Sequence, residues 1–182
     1  MTDRELYHLK FPIGEYEVPE EITNEHLKIW IQDIQSFPNR TKELTIGLSS
    51  IEKNWKYRPK GWTLKQVVHH CADSHINALT RFKLSLTEET PTIRPYFEAR
   101  WANLIDGNND DLTDTFLLLT GLHNKWVKLL SSLTETELNR SFLHPDHGQV
   151  FSLKETIGNY AWHCNHHFAH IQQAIDGKGK YN

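Results

Sequence analysis

The segment from Ser152 to Gly177 constrains the fold most, because a helix start signal is followed there by a long apolar stripe. Ser152 and Glu155 have the spacing of a capping box, in which the two side chains satisfy exposed backbone N–H groups. Apolar residues then recur at helical spacing, at Leu153, Ile157, Tyr160, Cys164, Phe168, Ile171 and Ile175. The pattern predicts one long amphipathic helix that buries a single face.

Four of the twelve histidines lie within this predicted helix, between His163 and His170. His163 and His167 are four residues apart, so they share one helix face along the flank of the apolar stripe, next to His170. The same phase turns His166 further towards solvent. Two imidazoles one turn apart can bind the same divalent cation. Helical phase therefore favours the pair His163 and His167 over the pair His166 and His170.

A second long helix is predicted from Trp62 to about Thr87. His70 lies at the edge of its apolar stripe and His69 on the opposite flank, and either could supply a third nitrogen. His75 falls within the stripe, where a core histidine with a satisfied hydrogen bond is the favoured interpretation. The edge that begins with His70 continues with three polar residues, Ser74, Asn77 and Arg81.

Proline and glycine divide the rest of the chain into helix-length segments. A helix from Asn24 to Ser36 and another after Pro38 are expected to form a helical hairpin. A further amphipathic helix is expected from about Asp111 to Ser132, with His123 and Lys125 on its surface. The predicted fold class is all-α, in one domain over residues 1–182.

Two segments are expected to be irregular. The first twenty residues, which contain Pro12 and Pro19, are interpreted as an extended arm on the domain surface. Phe142 to Gly148 is interpreted as a turn-rich loop, whose histidines His144 and His147 are weak candidates for a site.

Composition excludes several classes of function. The 20 basic and 23 acidic residues are spread along the chain and give a net charge of −3, so a nucleic-acid partner is not expected. No stretch is apolar enough to suggest a membrane span or a signal core, and a cytoplasmic protein is expected. Cys71 and Cys164 lie on apolar stripes and are interpreted as buried hydrophobic residues, with a thiolate ligand or nucleophile as the alternative.

The clustered histidines favour metal binding over a hydrogen-bonded structural cluster or a pH sensor. Imidazole nitrogens suit zinc, nickel, copper or iron(II), whereas calcium and magnesium prefer oxygen ligands. Three protein ligands would leave one coordination position open for chemistry.

Three motifs together resemble the DinB superfamily, and within it the YfiT-like group of metal-dependent hydrolases: the runs from Trp62 to His75, from Arg81 to Pro91 and from Trp162 to His170. The resemblance implies a four-helix bundle, usually a homodimer, with one divalent transition metal per subunit, zinc or nickel being expected first. It assigns the three ligands to His70, His163 and His167. It assigns no catalytic residue.

The resemblance leaves three functions open. The first is hydrolysis of a small-molecule substrate, and the second is thiol S-transfer, in which a low-molecular-weight thiol such as bacillithiol attacks an electrophile. The third is a non-enzymatic metal-binding stress-response protein, favoured if His75 or His144 closed the site as a fourth ligand. In either enzyme, four polar residues are candidates for orienting ligands or substrate: His166, His170, Asn77 and Arg81.

Overall fold

The computed structural model describes all of residues 1–182 and contains four long helices, four short ones and one small hairpin. The helices are α1 (Asp3–Lys10), α2 (Asn24–Thr45), α3 (Ser50–Lys53), α4 (Leu64–Thr87), α5 (Glu98–Trp101), α6 (Thr113–Leu130), α7 (Glu135–Leu138) and α8 (Leu153–Gly177). The antiparallel hairpin pairs β1 (Ser141–His144) with β2 (Gln149–Ser152). The predicted all-α four-helix bundle is confirmed.

The four long helices α2, α4, α6 and α8 are connected in an uncommon order. Helix α2 packs against α8 and α6, and α4 packs against the same two helices. Helices α2 and α4 therefore occupy diagonal corners, although they are consecutive long helices, and so do α6 and α8. No helix is both long enough and apolar enough to span a bilayer.

Capping boxes set the starts of the two helices that carry the clustered histidines. Thr63 and Gln66 cap α4, and Ser152 and Glu155 cap α8 as the sequence predicts. Both helices bury one face in the core, and α4 packs against α8. The histidines at the edges of these faces are thereby held opposite one another.

The predicted helical hairpin around Pro38 is wrong, because α2 runs without interruption from Asn24 to Thr45. Proline lacks an N–H group, so Pro38 cannot donate the helical hydrogen bond to the carbonyl of Ile34. Ile34 and Phe37 are nevertheless completely buried on this helix. The apolar packing of α2 outweighs the helix-breaking tendency of a single proline.

The predicted N-terminal arm is extended only in part. Residues 3–10 form α1, because Thr2 and Glu5 make a capping box at its start. The following residues, before α2, have no regular secondary structure and lie along α8. The Trp162 Nε1–H donates to the Gly14 carbonyl at 3.1 Å, and the Tyr16 hydroxyl donates to the Glu155 carbonyl at 3.1 Å.

The predicted loop from Phe142 to Gly148 is largely a hairpin. Phe142 on β1 pairs with Phe151 on β2, and the two rings lie 6.0 Å apart. Gly148 adopts a φ of +61°, which a tight turn requires and glycine tolerates. The paired aromatic side chains give this segment more structure than its turn residues suggest.

Candidate metal centre

Three histidines from two helices converge at one point in the bundle. Helix α4 contributes His70, and α8 contributes His163 and His167, with one ring nitrogen from each lying within 4.8 Å of the others. Zinc–imidazole bonds are about 2.0–2.1 Å long, so the nitrogens of three ligands on one tetrahedral ion lie about 3.3–3.4 Å apart. The three nitrogens, all within 4.8 Å of one another, are therefore at most about 1.5 Å further apart than a shared ion requires.

Burial keeps these three imidazoles neutral. It lowers the pKa of His70 to about 4, and it holds the pKa values of His163 and His167 well below that of an ordinary histidine. The neighbouring histidines add to the effect, since each disfavours a positive charge on the others. A neutral imidazole offers a nitrogen lone pair, so this donor set fits a divalent transition ion.

His167 is oriented by a short series of hydrogen bonds that begins at the backbone of the N-terminal arm. The His170 Nε2–H donates to the Lys10 carbonyl at 3.0 Å, because a carbonyl oxygen only accepts. The bare Nδ1 of His170 then accepts from the Nδ1–H of His167 at 3.4 Å. This tautomer of His167 leaves its Nε2 free to bind a metal.

A second histidine group, formed by His166, His167 and His170, also has its nitrogens within 4.8 Å of one another. It shares His167 with the first group. The Nε2 of His170 is engaged by Lys10, so a metal here would have to use Nδ1 and displace the hydrogen bond to His167. The group that contains His70 requires no such displacement.

His166 is buried, so its predicted orientation towards solvent is wrong. Its ring stacks on Trp162 with the centroids 4.3 Å apart, and Phe11 covers it at 5.9 Å. Burial lowers the pKa of His166 to about 4, and its Nδ1 has no hydrogen-bond partner. The covering residue comes from the N-terminal arm, which helical phase alone could not reveal.

Two of the α4 predictions are confirmed. His69 lies on the opposite flank, where its Nε2–H donates to the Asn109 carbonyl at 2.9 Å and its Nδ1 contacts the Thr115 hydroxyl at 2.7 Å. His75 is a completely buried core histidine with hydrogen-bond partners on both nitrogens. The Asn77 side chain donates to the Asp73 carbonyl of its own helix at 2.8 Å.

His123 is buried, with only 1% of its surface exposed, so its predicted surface position is wrong. It occupies the inner face of α6 together with Leu119 and Trp126. Its spacing of four and three residues from these apolar side chains is the sequence signal that could have identified it. Lys125 is exposed, as predicted.

A cavity of about 880 Å³ borders the partly exposed ligand candidate His163. Its polar lining includes Arg81, Tyr160 and His144. The Arg81 guanidinium donates to the Tyr160 hydroxyl at 3.4 Å, while the Nε of Arg81 and the Nδ1 of His144 have no partner. The cavity therefore brings an arginine, a tyrosine and a histidine to the side of the ligand candidate His163. Tyr160 was assigned only to the apolar stripe by sequence.

The two cysteines are buried and unpaired, as the sequence predicts. Burial raises the pKa of both the Cys71 and the Cys164 thiol well above the ordinary value, so both stay protonated. A thiolate ligand or nucleophile is not favoured at either position.

Known proteins are similar to this chain in sequence and in fold. The profile of the DinB superfamily matches residues 34–171. YfiT of Bacillus subtilis, named as a candidate metal-dependent hydrolase, is 44% identical over 166 residues, covering 91% of this chain and 93% of the relative. A relative from Halalkalibacterium halodurans with the same designation is 40% identical, covering 91% of this chain and 96% of its own.

The solved structure of Bacillus subtilis YfiT is described as a candidate metal-dependent hydrolase with an unusual four-helix bundle topology. It superimposes with a TM-score of 0.91 at 43% identity, covering 94% of this chain and 98% of that chain. The profile match and the identity over nearly the whole length agree with the bundle described above. This chain belongs to the DinB superfamily.

Proposed function

We propose that this protein is a metal-dependent hydrolase that holds one zinc or nickel ion on His70, His163 and His167. The observation that carries the proposal is the convergence of three nitrogens within 4.8 Å beside a cavity that His163 helps to line. A bound divalent ion supplies Lewis-acid chemistry, because it polarises a carbonyl or phosphoryl oxygen and activates water. The names of the relatives support the same reaction class.

The residues around the cavity would bind and orient the substrate. Arg81 and His144 line the cavity, and the Tyr160 hydroxyl lies next to the Arg81 guanidinium. These groups suit a small polar substrate with hydrogen-bond acceptors. His166 and His170 do not line the cavity, so we assign neither to the substrate, and only His170 supports a ligand candidate, through its hydrogen bond to His167.

The ligand assignment is tested by metal content. Elemental analysis of untagged wild-type protein should give about one equivalent of metal per chain, and His70→Ala, His163→Ala and His167→Ala should each lose it. His166→Ala is the matched control and should keep the metal. Metal retained by His163→Ala, or lost from His166→Ala, would contradict the assignment and favour the second histidine group.

The reaction is tested with zinc- and nickel-loaded protein on a panel of carboxylic esters, amides and phosphoesters. Hydrolysis that a chelator abolishes, and that His163→Ala lacks, is the expected result. Thiol S-transfer is the competing reaction, and it is assayed with monochlorobimane and bacillithiol, mycothiol or glutathione. Thiol-dependent conjugation without hydrolysis of any substrate would replace the hydrolase proposal.

A purely metal-storing protein would hold its ion in a closed site with a fourth protein ligand. His75 is an unfavourable fourth ligand, because its two nitrogens already contact His123 and His163. X-ray absorption spectroscopy of the zinc-loaded protein should show three imidazoles and at least one exogenous light ligand. Four imidazoles would favour storage.

A homodimer in the cytoplasm remains our expectation for the assembly and its location. Helix α6 exposes two neighbouring apolar side chains, Leu117 and Leu118, which would suit a contact between two copies. Light scattering should give about twice the chain mass of 21.3 kDa. A mass of one chain would contradict the dimer.

A further inference from the structure

Two buried histidines outside the proposed ligand set, His75 and His123, connect His163 to the backbone of α2. The Nδ1 of His163 lies 3.1 Å from the Nε2 of His75, and the Nδ1 of His75 lies 2.8 Å from the Nε2 of His123. The Nδ1 of His123 lies 2.6 Å from the carbonyl oxygen of Ile34. The three imidazoles form one continuous line of hydrogen bonds, here called the imidazole relay.

The backbone end of the imidazole relay fixes the direction of every hydrogen bond in it. The Ile34 oxygen only accepts, so the Nδ1 of His123 must carry the hydrogen. In a neutral ring the Nε2 of His123 is then bare and accepts from the Nδ1–H of His75. By the same step, the bare Nε2 of His75 accepts from the Nδ1–H of His163. The lone pair of His163 is left on Nε2.

Pro38 explains why this carbonyl is available. A residue at position 38 of α2 would ordinarily donate its N–H to the oxygen of Ile34, but proline has no N–H. The Nδ1–H of His123 takes the place of that missing donor. Pro38 therefore leaves a buried carbonyl without a donor, and His123 supplies that donor. In turn, the free carbonyl gives the buried Nδ1–H of His123 an acceptor.

The surroundings of the imidazole relay offer few competing partners. His75 and His123 are 0% and 1% exposed, and Phe37 packs against both rings, at 5.5 and 5.8 Å between centroids. The Cys164 sulfur makes a further contact with His75, at 3.9 Å from Nε2. A protonated thiol would donate to this nitrogen, which agrees with its accepting role. In such a dry environment, linked hydrogen bonds strengthen one another.

We propose that His75 and His123 are positioning residues that hold His163 as the Nδ1–H tautomer and present its Nε2 to the metal. The inference rests on the proposed metal site. Second-shell hydrogen bonds of this kind fix the orientation of a metal-binding histidine and raise its basicity. His75 and His123 thus act on the metal through His163, without binding it.

The tautomers are tested directly on metal-free protein labelled with ¹⁵N-histidine. Long-range ¹H–¹⁵N correlation spectra should show a protonated Nδ1 and a bare Nε2 in His75, His123 and His163, assigned with single-residue variants. A protonated Nε2 on His75 or His123 would overturn the relay. This measurement requires no bound metal, so its failure is distinct from a failure of the proposed metal site.

Metal affinity tests the consequence. His75→Phe keeps a ring but removes both nitrogens, and zinc affinity measured by chelator competition should fall by roughly 10- to 100-fold. His75→Gln can still accept from His163 and donate to His123, so it should recover much of that loss. His69→Phe is the control for a buried histidine on α4 outside the relay, and its affinity should stay within about threefold of the wild type.

If His75→Phe does not fold, His123→Phe is the second variant, one ring further from the ligand, and it should also weaken zinc binding. Unchanged affinity in the folded variant, or an equal loss in His69→Phe, would overturn the positioning role. A wild-type protein that binds no zinc at all would instead refute the metal site, whatever the tautomers.

Discussion

Pro38 leaves the carbonyl oxygen of Ile34 without its helical hydrogen bond, and a histidine from another helix supplies the replacement. Such a carbonyl would otherwise be buried and unsatisfied, at a cost of about 1–3 kcal/mol. Since His123 satisfies it, a proline in the middle of α2 is tolerated. The stability of α2 and the orientation of His123 are therefore coupled.

A double-mutant cycle measures this coupling. Pro38→Ala restores an N–H donor to Ile34, so His123→Phe should destabilise the protein less in that background, by about 1 kcal/mol or more. The free energies of unfolding come from urea denaturation of metal-free protein. Pro38→Ala combined with His69→Phe is the control and should be additive. Additivity of Pro38→Ala with His123→Phe would refute the coupling.

The stability of the metal-free protein should fall in mild acid. Burial lowers the pKa of His70, His123 and His166 to about 4, whereas an unfolded histidine has a pKa of about 6.5. Between these values the unfolded chain binds more protons than the folded one, so the free energy of unfolding decreases as the pH falls from about 6.5 towards 4. Burial raises the pKa of Asp73 to about 6, so this carboxyl stabilises the folded state as the pH falls and opposes the trend. Asp73 is a single group, whereas at least three buried histidines act in the other direction.

Urea denaturation at pH 7, 6, 5 and 4 checks this dependence. His123→Phe removes one of the buried groups and should make the slope shallower, while His8→Gln, at an exposed position, should leave it unchanged. Equal stability at pH 7 and pH 4.5 would contradict the neutral state assigned to the buried histidines.

Sequence periodicity anticipated the parts of the site that depend on a single helix. The phase of α8 separates His163 and His167 from the neighbouring histidines, and the phase of α4 puts His70 at the edge of its stripe. The structure brings nitrogens of these three residues within 4.8 Å, while their role as ligands stays a prediction. Local pattern suffices where the relevant contacts follow from helix geometry.

The residues that sequence reasoning misplaced depend on contacts between distant segments. His123 was expected at the surface because histidine is polar, but α2 provides a carbonyl that pairs with it. His166 was expected to face solvent because Phe11, on the arm, is remote in sequence. Pro38 was expected to interrupt its helix, because the local sequence does not show that His123 on α6 supplies the compensating donor. None of these partners is visible in a local window.

The N-terminal arm should contribute to metal binding through His170. Deleting residues 1–10 removes the Lys10 carbonyl that accepts from His170, so the hydrogen bond that orients His167 loses its fixed end. We expect zinc affinity to fall by roughly tenfold, the lower end of second-shell effects. Chelator competition measures the change. Deletion of residues 1–5, which leaves Lys10 in place, is the control; an equal effect of both deletions would contradict the role of this carbonyl.

Substitution by alanine at two helix glycines should change the stability of the protein in opposite directions. A Cβ at Gly158 on α8 would lie 2.8 Å from the Trp30 ring and would also overlap the Tyr16 hydroxyl of the arm, whereas a Cβ at Gly121 on α6 would meet nothing within 4 Å. Gly158→Ala should therefore destabilise the protein by about 1–3 kcal/mol, since the packed ring and arm must move. Gly121→Ala should stabilise it by about 0.5–1 kcal/mol, because alanine loses less backbone entropy in a helix. Thermal and urea unfolding of the two variants measure both changes, and destabilisation of equal size at the two positions would contradict the close contact of the arm with α8.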